Sequence, residues 1–356
     1  MKNNFNYYLD QSLQDYNFHR EIYLKFNGLI FKIKLNNDQL ETLVKKYFIE
    51  FLTEETSFDS LIHLAESKPL NYKLNYQIQK RDPGKTKIKE EYVNFPQGRI
   101  VRKIQTGLVF LFDGENNLAA GPCLENVNQV VNFINNRFIE IMLNKNSLLL
   151  HASGIAWKNK GISIAGFSGA GKSTLALHML KDEINFISND RILSKEENSG
   201  LKMYGVAKYP RINPGTIISI KAIESIIPPE ERKKYHLLDK KKLWNLEEKY
   251  DLFVNEIYGP NRFKLEADMK ALVILNWQHL PEKTVIKKIN PSERYDLFPA
   301  FMKSPGLFYF THNLEDLDLS KAMYEASLKN CSVYEVTGGV NFEATADYFI
   351  NWLKNS

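Results

Sequence analysis

The stretch that decides the fold reads Gly166-Phe167-Ser168-Gly169-Ala170-Gly171-Lys172-Ser173-Thr174. It has the form G-x-x-x-x-G-K-[ST], which is the phosphate-binding P-loop. Residues 161–165, which precede it, are apolar and β-branched enough for a buried strand, and residues 174–180, which follow it, are mostly helix formers. A strand, a glycine-rich loop and a helix in this order are the context that the motif requires.

Each residue type in the loop has a chemical reason. The glycines allow backbone N–H groups to turn inward around a triphosphate, and the N-terminus of the following helix adds partial positive charge. Lys172 adds a full positive charge, and the Ser173 hydroxyl is suited to ligate Mg²⁺. The motif therefore predicts a nucleotide-binding site; a glycine-rich turn without a ligand is the alternative.

The composition is that of an ordinary globular protein. Of 356 residues, 44% are hydrophobic and 25% are charged, so we expect two domains with sizeable cores. The net charge of +5 suits an anionic ligand but is not a nucleic-acid signature. The two cysteines, Cys123 and Cys331, have no metal-ligand spacing, which indicates a reducing compartment and argues against a zinc site or a disulfide scaffold.

No feature of the sequence predicts export, membrane insertion or nucleic-acid binding. Residues 1–8 lack the apolar segment of a secretory signal, and no uncharged apolar run approaches the ~20 residues of a membrane helix. No strong basic stripe with interleaved aromatic residues is present. We therefore expect a cytoplasmic protein with no membrane and no nucleic-acid partner.

Residues 1–140 are predicted to form an α+β N-terminal domain of unknown role. Asn27-Gly28 lies between two alternating segments and is a strong hairpin signal. Asn36-Asn37-Asp38 predicts a helix N-cap, and apolar residues at helical spacing continue to about residue 53. Strands are expected from residue 70 to about residue 120, mostly antiparallel. The first of these strands is predicted from the alternation of Tyr72, Leu74, Tyr76 and Ile78.

Residues 141–356 are predicted to form the domain that carries the P-loop. A helix over residues 127–143 leads into it, and residues 148–150 form a short strand that ends at His151. Further strands are predicted at residues 184–188, 271–275 and 331–336, with a closing helix at residues 342–353. Residues 228–250 mix prolines, charges and apolar residues, which favours a surface segment or flap.

Two polar residues are expected near the loop. Asp190 follows the strand 184–188, and ligands of α/β sheets bind at the carboxyl ends of strands. An aspartate there can hold Mg²⁺ or take a proton from an attacking hydroxyl; a turn cap is the alternative. His151 faces the same edge if the strand 148–150 pairs beside the strand of the loop; a structural histidine is the alternative.

Three segments together resemble the HPr kinase/phosphorylase family: His151-Ala152-Ser153-Gly154, the loop from Gly166 to Ser173, and Asn189-Asp190-Arg191. In that family a histidine opens an H-x-x-G segment, a G-x-S-G-x-G-K-S loop follows, and a V-A-D-D-R segment comes next. The resemblance extends over about residues 148–191 and is closest to the subgroup called HPr-kinase-related kinase B. It implies an α/β fold with a C-terminal P-loop kinase domain of the HPr kinase and phosphoenolpyruvate carboxykinase type.

The resemblance also implies ATP and Mg²⁺ as cofactors and roles for individual residues. Asp190 is the implied general base, His151 lies near the transferring phosphoryl group, and Lys172 holds the β- and γ-phosphates. Ser173 and Asp190 are the implied metal ligands. The expected nucleotide contacts are Gly166, Ser168, Gly169, Ala170, Gly171, Lys172, Ser173, Thr174 and Arg211.

The sequence also departs from the family pattern. Asn189 stands where the family has the first aspartate of a pair, and Tyr209-Pro210-Arg211-Ile212 stands nearest to the family's Glu-Ile-Arg-Gly, whose glutamate helps to hold Mg²⁺. We therefore expect the metal to be held more by nucleotide and water, and HPr itself is not carried over as the substrate. Arg211 and Arg262 are candidates for phosphate contacts because guanidinium groups bind phosphoryl oxygens; surface arginines are the alternative.

We expect an ATP-dependent kinase that transfers the γ-phosphoryl group to a serine-type hydroxyl of a protein, peptide or small molecule, with Asp190 as general base. The alternative is an ATP-binding regulatory or assembly protein with the same fold and no kinase chemistry. Asn189 and the missing glutamate favour that alternative. The resemblance leaves a homo-oligomer open.

Overall fold

The computed structural model divides the chain into two compact units. It describes residues 4–80, 88–181, 183–198, 200–239, 242–243, 246, 248–278, 280–310 and 317–356. The first unit comprises Met1–Asn144 and Pro305–Leu317, and the second comprises Lys145–Ser304 and Asp318–Ser356. Within the described ranges, no helix is both long enough and apolar enough to cross a bilayer. The class is mixed α/β, with one large sheet in each unit.

The first unit is built on an eight-stranded sheet, in the order β1-β2-β3-β8-β7-β6-β5-β4. Its strands are β1 (Arg20–Phe26), β2 (Leu29–Leu35), β3 (Ser60–Glu66), β4 (Gln77–Ile78), β5 (Glu90–Asn94), β6 (Arg99–Lys103), β7 (Val109–Phe112) and β8 (Asn116–Gly121). Strand β3 runs parallel to β2 and to β8, and the other neighbours are antiparallel. The antiparallel pairing predicted for the strands between residues 70 and 120 is confirmed for β4 to β8.

The hairpin predicted at Asn27-Gly28 joins β1 to β2, with Phe26 opposite Leu29. Both turn residues have positive φ, 48° for Asn27 and 81° for Gly28. Two positive φ values define the type I′ turn, whose twist matches that of the flanking strands, and asparagine and glycine tolerate them best.

Among the residues that the structure describes, the first unit has three α-helices: α1 (Phe5–Gln14), α2 (Asp38–Tyr47) and α3 (Val127–Asn144). The side chain of Asn37 caps α2 by accepting a hydrogen bond from the backbone N–H of Leu40. The predicted end of α2 near residue 53 is wrong, because a short 3₁₀ turn, Ile49–Phe51, follows the helix. Helix α3 belongs to the first unit and not to the second.

The strand predicted from Tyr72 to Ile78 is wrong over most of its length, since among the described residues only Gln77–Ile78 of this segment pairs with another strand. The backbone N–H of Leu74 bonds to the carbonyl of Tyr72, and that of Tyr76 to the carbonyl of Leu74. The aromatic side chains pack against the core of the unit. The alternation therefore reflects packing of an extended segment and not membership of the sheet.

A buried charged pair attaches residues 306–310, here called the strap, to the first unit. Arg137 Nη1 lies 3.0 Å from Glu140 Oε1, and the two side chains are 1% and 3% exposed. Arg137 also donates to the carbonyl of Phe308, while Glu140 Oε2 accepts from the backbone N–H of Phe310 at 2.8 Å. Burial raises the pKa of Glu140, although the guanidinium of Arg137 opposes this.

The second unit contains a nine-stranded sheet. Its strands are β9 (Leu148–Leu150), β10 (Ala152–Trp157), β11 (Lys160–Gly166), β12 (Ile184–Ser188), β13 (Ile192–Glu197), β14 (Gly200–Gly205), β17 (Glu266–Leu275), β18 (Val285–Ile289) and β19 (Ser332–Thr337); β15 (Arg211–Ile212) and β16 (Tyr250–Asp251) form a separate pair. Strand β17 is central: it pairs with β11 on one side, and with β14 and β19 on the other.

The helices whose bounds the structure describes in this unit are α4 (Lys172–Met179), α5 (Pro214–Ile218), α6 (Pro229–His236), α7 (Val254–Tyr258), α8 (Lys321–Ser327) and α9 (Phe342–Asn355). The strands predicted at residues 148–150, 184–188, 271–275 and 331–336 and the closing helix are confirmed within a few residues. Helix α6 lies in the segment 228–250, part of which falls outside the described residues.

The order β12-β10-β11 decides which residues meet at the edge of the sheet. Strand β10 is antiparallel to both β11 and β12, so β10 begins at the edge where β11 and β12 end. The sequence predicted that His151 would reach this edge if the strand before it, β9, paired with β11, the strand that precedes the loop. That pairing does not occur, because β9 pairs with β13. His151 reaches the edge for another reason: it immediately precedes β10.

Candidate active site

The glycine-rich loop, residues 166–171, connects β11 to α4 at this edge. Gly166 has φ +155° and Gly171 has φ +87°, which are conformations that side chains oppose. A Cβ atom on Gly166 would lie 2.9 Å from the carbonyl oxygen of Leu275, and one on Gly171 would lie 2.6 Å from the ring of Phe342. Glycine is thus required at both ends of the loop.

Lys172 is the first residue of α4, and its side chain lies back across the loop. Its Nζ donates to the carbonyl oxygens of Gly166 at 2.9 Å and Phe167 at 3.4 Å. The residue is only 9% exposed. Burial lowers the pKa of Lys172; the charge of Asp190 opposes that shift and the charge of Lys303 adds to it. Three charged groups therefore interact at the loop.

The remaining loop residues differ in exposure. Ser168 and Gly169 are exposed, while Ala170, Gly171 and Ser173 are half-buried. The rest of the second unit holds the loop in two places. Trp277 Nε1 donates to the carbonyl of Ala170 at 2.8 Å, and the hydroxyls of Thr174 and Thr216 are 2.8 Å apart. Because the Thr174 hydroxyl is engaged with Thr216, its backbone N–H is the group suited to a phosphate.

Asp190 and His151 meet at the same edge. His151 Nε2 lies 3.0 Å from Asp190 Oδ1, with the two side chains 30% and 51% exposed. The hydroxyl of Ser153 donates to the carbonyl of Asn189, which ties the turn after β12 to β10. The two residues that the sequence predicted near the loop are therefore brought together.

Two cations flank the other carboxylate oxygen of Asp190. Lys303 Nζ lies 3.4 Å from Oδ2, and Arg191 Nε lies 3.9 Å from it. Burial would raise the pKa of Asp190, but the hydrogen bond from His151 and the charges of Lys303, His151 and Arg191 hold that pKa well below its usual range. Asp190 is thus ionised at neutral pH.

The oxygen donors at the edge fit a magnesium ion of the kind that binds mainly through nucleotide. Asn189 Oδ1 is buried and has no hydrogen-bond partner among the described residues. The Ser173 hydroxyl and the Asp190 carboxylate supply further oxygen atoms. No group of three His, Cys, Asp or Glu side chains suited to a metal occurs in the part of the chain that the structure describes. Mg²⁺ often uses one or two carboxylates together with substrate phosphates, so this sparse set suffices.

The two arginine candidates have different surroundings. Arg211 Nε lies 3.0 Å from Asp251 Oδ1, and the Arg211 side chain is 42% exposed. Arg262 donates to the carbonyl of Ile184 at 3.0 and 2.6 Å and to that of Tyr258 at 3.3 Å. Ile184 begins β12, so Arg262 lies at the end of that strand opposite to Asp190, and a phosphate contact is not expected of it.

Sequence reasoning missed two lysines at the site. Lys303 is supplied by an extended segment far along the chain, and no local motif marks it. Lys208 lies after β14; burial lowers its pKa to about 8, with the charge of Arg191 lowering it further and that of Asp190 opposing this. The edge thus carries several cations around one carboxylate, which suits a polyanionic ligand.

Comparisons with known proteins give little beyond this geometry. No family model and no curated protein matches the chain. Among solved structures, the chain is similar to the HPr(Ser) kinase/phosphatase from Coxiella burnetii, with 12% sequence identity and a TM-score of 0.29; the match covers 58% of this chain and 93% of that one. The similarity in fold is distant and does not extend to a subgroup, so it carries no argument about function.

Proposed function

We propose that this chain is an ATP-dependent phosphotransferase that transfers the γ-phosphoryl group to a serine-type hydroxyl of a protein, peptide or small molecule. One observation supports the proposal above all others. The carboxylate of Asp190, bound to His151 at 3.0 Å, shares a sheet edge with the glycine-rich loop, and its charge opposes the lowering of the pKa of Lys172 by burial. Positioning and charge are nearly all that phosphoryl transfer requires of a protein.

In this proposal the loop binds the triphosphate. Lys172 exchanges the carbonyls of Gly166 and Phe167 for β- and γ-phosphate oxygens, which are stronger, charged acceptors. Further donors are the N–H groups of residues 168–174, except that of Ala170, which bonds to the carbonyl of Phe167 at 3.1 Å. The N-terminus of α4 contributes partial positive charge. Arg211 is a proposed outer contact that would have to leave Asp251.

Asp190 acts as the general base on the acceptor. The acceptor oxygen attacks the γ-phosphorus, the bond from that phosphorus to the bridging oxygen breaks, and ADP leaves. The hydroxyl proton passes to Asp190. A carboxylate with a low pKa is a weak base, but a loose transition state releases the proton late, so position matters more than base strength. His151 orients the carboxylate through its bond to Oδ1.

Magnesium would be held by Ser173 and Asp190, with the buried Asn189 Oδ1 close to the same turn. The ion, when bound, neutralises the charge that develops on the β- and γ-phosphates. Asn189 and Asp190 together present one negative charge where a pair of aspartates would present two. We therefore propose that the nucleotide contributes most of the ion's ligands.

His151 also determines the pH range of the reaction. The hydrogen bond from His151 lowers the pKa of Asp190, so the wild-type acid limb lies below the ordinary range of aspartate. His151→Ala removes that bond, and the acid limb of the transfer rate is expected to shift to higher pH because Asp190 then protonates more readily. The measurement is the rate of label transfer from ATP across the acidic range.

The matched control for this variant is His19→Ala. His19 Nε2 also lies 3.0 Å from a carboxylate, that of Asp38, but in the first unit and outside the P-loop site. This variant should leave the acid limb unchanged. An unshifted limb in His151→Ala would show that His151 does not set the protonation of Asp190.

A second candidate function is ATP binding without transfer. It is favoured by the sparse metal shell and by the donors on both oxygens of Asp190. The two candidates separate when purified protein is incubated with ATP labelled at the γ-phosphate and a lysate of the source organism, then fractionated by size. Kinase chemistry predicts label in a protein, peptide or metabolite fraction. Bound ATP with no label transferred and no hydrolysis would favour the second candidate.

A further inference from the structure

Lys303 is held beside the site by backbone bonds. Residues 301–303 lie antiparallel to β9, with a bridge between Leu150 and Met302. The N–H of His151 donates to the carbonyl of Phe301 at 2.7 Å, and the N–H of Lys303 donates to that of Leu149 at 3.2 Å. His151 is thus opposite residue 301, and residues 301 and 303 share one face of this pair because side chains alternate. His151 and Lys303 therefore extend to the same side.

The side chains of His151 and Lys303 contact different oxygens of the Asp190 carboxylate. His151 contacts Asp190 Oδ1 and Lys303 lies 3.4 Å from Oδ2. The Lys303 side chain is 26% exposed. Lys303 also lowers the pKa of Lys172, which places the two ammonium groups within electrostatic range of each other. Two lysines on separate segments thus converge on one region.

We propose that Lys303 is a second phosphate-binding lysine, which moves from Asp190 to the γ-phosphoryl oxygens when ATP binds in the loop. The proposal rests on the proposed function, because it needs a triphosphate in the loop. A γ-phosphoryl group carries more charge than one carboxylate and attracts both lysines. A lysine suits such a move because its point charge sits on a flexible stem.

The same move has a consequence for the base. While Lys303 is paired with Oδ2, both oxygens of Asp190 have a donor. When Lys303 moves to the phosphate, Oδ2 becomes the oxygen that accepts the acceptor's proton, and Oδ1 stays bound to His151. Lys303 thereby neutralises Asp190 before ATP binds and stabilises the transferring group afterwards.

The test compares ATP with ADP, because only ATP has the group that Lys303 would contact. Calorimetric titrations of the full chain with each nucleotide and Mg²⁺ are made on wild type and Lys303→Met. ATP affinity is expected to fall about 10- to 100-fold, the effect of one charge-assisted hydrogen bond. The affinity of Lys303→Met for ADP should be nearly unchanged, and Lys303→Arg should retain most of the affinity for ATP. Lys172→Met should lower the affinity for both nucleotides.

The matched control is Lys195→Met. Lys195 has a similar exposure, 29%, and an ion-pair partner, Glu197, at 3.9 Å, but it contributes nothing to the edge that carries the loop. The Lys195→Met variant should bind both nucleotides with the affinity of the wild type. Thermal unfolding checks that each variant is folded.

Two results would overturn the inference while leaving the proposed function standing: unchanged ATP affinity in Lys303→Met, or an equal loss for ATP and ADP, which is the mark of a structural ion pair. A wild-type chain that binds neither nucleotide would contradict the proposed function and this inference together.

Discussion

Asp190→Asn is expected to lower the rate of phosphoryl transfer by about 10²- to 10⁴-fold, the usual contribution of a general base. The amide has the size of the carboxylate and its oxygen still accepts a hydrogen bond from His151, so the local structure should persist. The affinity for ATP measured without Mg²⁺ should stay the same or rise, because the change removes a negative charge from a cluster that contains Lys172, Lys303 and Arg191. Transfer and binding are thus predicted to respond in different ways.

The measurement pairs label transfer with nucleotide titration on the same preparation. Asp347→Asn is the control. Asp347 lies on helix α9, its side chain is similarly exposed, at 56%, and it pairs with a lysine, Lys181, at 2.9 Å. It should behave as wild type in both assays. Transfer that survives in Asp190→Asn would mean that another group accepts the proton or that none is needed.

Arg137→Met is expected to destabilise the first unit by about 3–5 kcal/mol, the usual effect of leaving one partner of a buried ion pair alone. The guanidinium lies 4.2 Å from the ring of Phe112 and donates to Asn117 Oδ1 at 3.3 Å, in addition to its bonds with Glu140 and the strap. Methionine can fill part of the space but supplies no donor. The measurement is urea unfolding followed by circular dichroism.

The sign of the pH dependence distinguishes this explanation from simple loss of packing. Burial raises the pKa of Glu140 in the folded chain, and the variant lacks the guanidinium that opposes this. In this variant the folded state therefore holds the proton of the Glu140 carboxyl more tightly than the unfolded state does. Stability of Arg137→Met should therefore be greatest below the unfolded pKa of about 4.3 and should fall as pH rises above it.

Two further variants serve as controls. Arg137→Met with Glu140→Gln removes the unpaired charge as well, and it should be more stable than Arg137→Met alone at neutral pH. Arg20→Met breaks an exposed pair with Asp38 and should change the unfolding midpoint little. An Arg137→Met variant as stable as wild type would contradict the assignment of the pair as a buried anchor of the strap.

The elements that the sequence predicts well are those with a local chemical signature. The hairpin at Asn27-Gly28 depends on two residues that tolerate positive φ. The cap of helix α2 depends on one side-chain oxygen, that of Asn37. The order of strand, loop and helix around Gly166 follows from the same kind of local requirement. In each of these cases the information lies within a few residues.

Other features depend on residues distant in the sequence, and local pattern could not supply them. The alternation from Tyr72 to Tyr76 is the same in a paired strand and in an extended segment packed on a core, so only the absence of a partner strand separates them. The strap, residues 306–310, is held in the first unit by Arg99, Arg137 and Glu140, which lie far earlier in the sequence.

The candidate site shows the same division. Lys172, Asp190 and His151 were predicted from motif and position, although His151 reaches the edge through β10 and not through the pairing that was expected. Lys303 belongs to no motif and becomes visible only through its bridge to β9. Asp190, the proposed base, could be singled out from the sequence, and the lysine that pairs with it could not.

The central claim is tested most directly by comparing ATP labelled at the γ-phosphate with ATP labelled at the α-phosphate, each incubated with purified protein and lysate. We predict that label from the γ-position, and not from the α-position, appears as an acid-stable phosphate ester on a hydroxyl, and that Asp190→Asn lowers its rate of appearance about 10²- to 10⁴-fold. Transfer from both positions, or bound ATP with no transfer from either, would contradict the account.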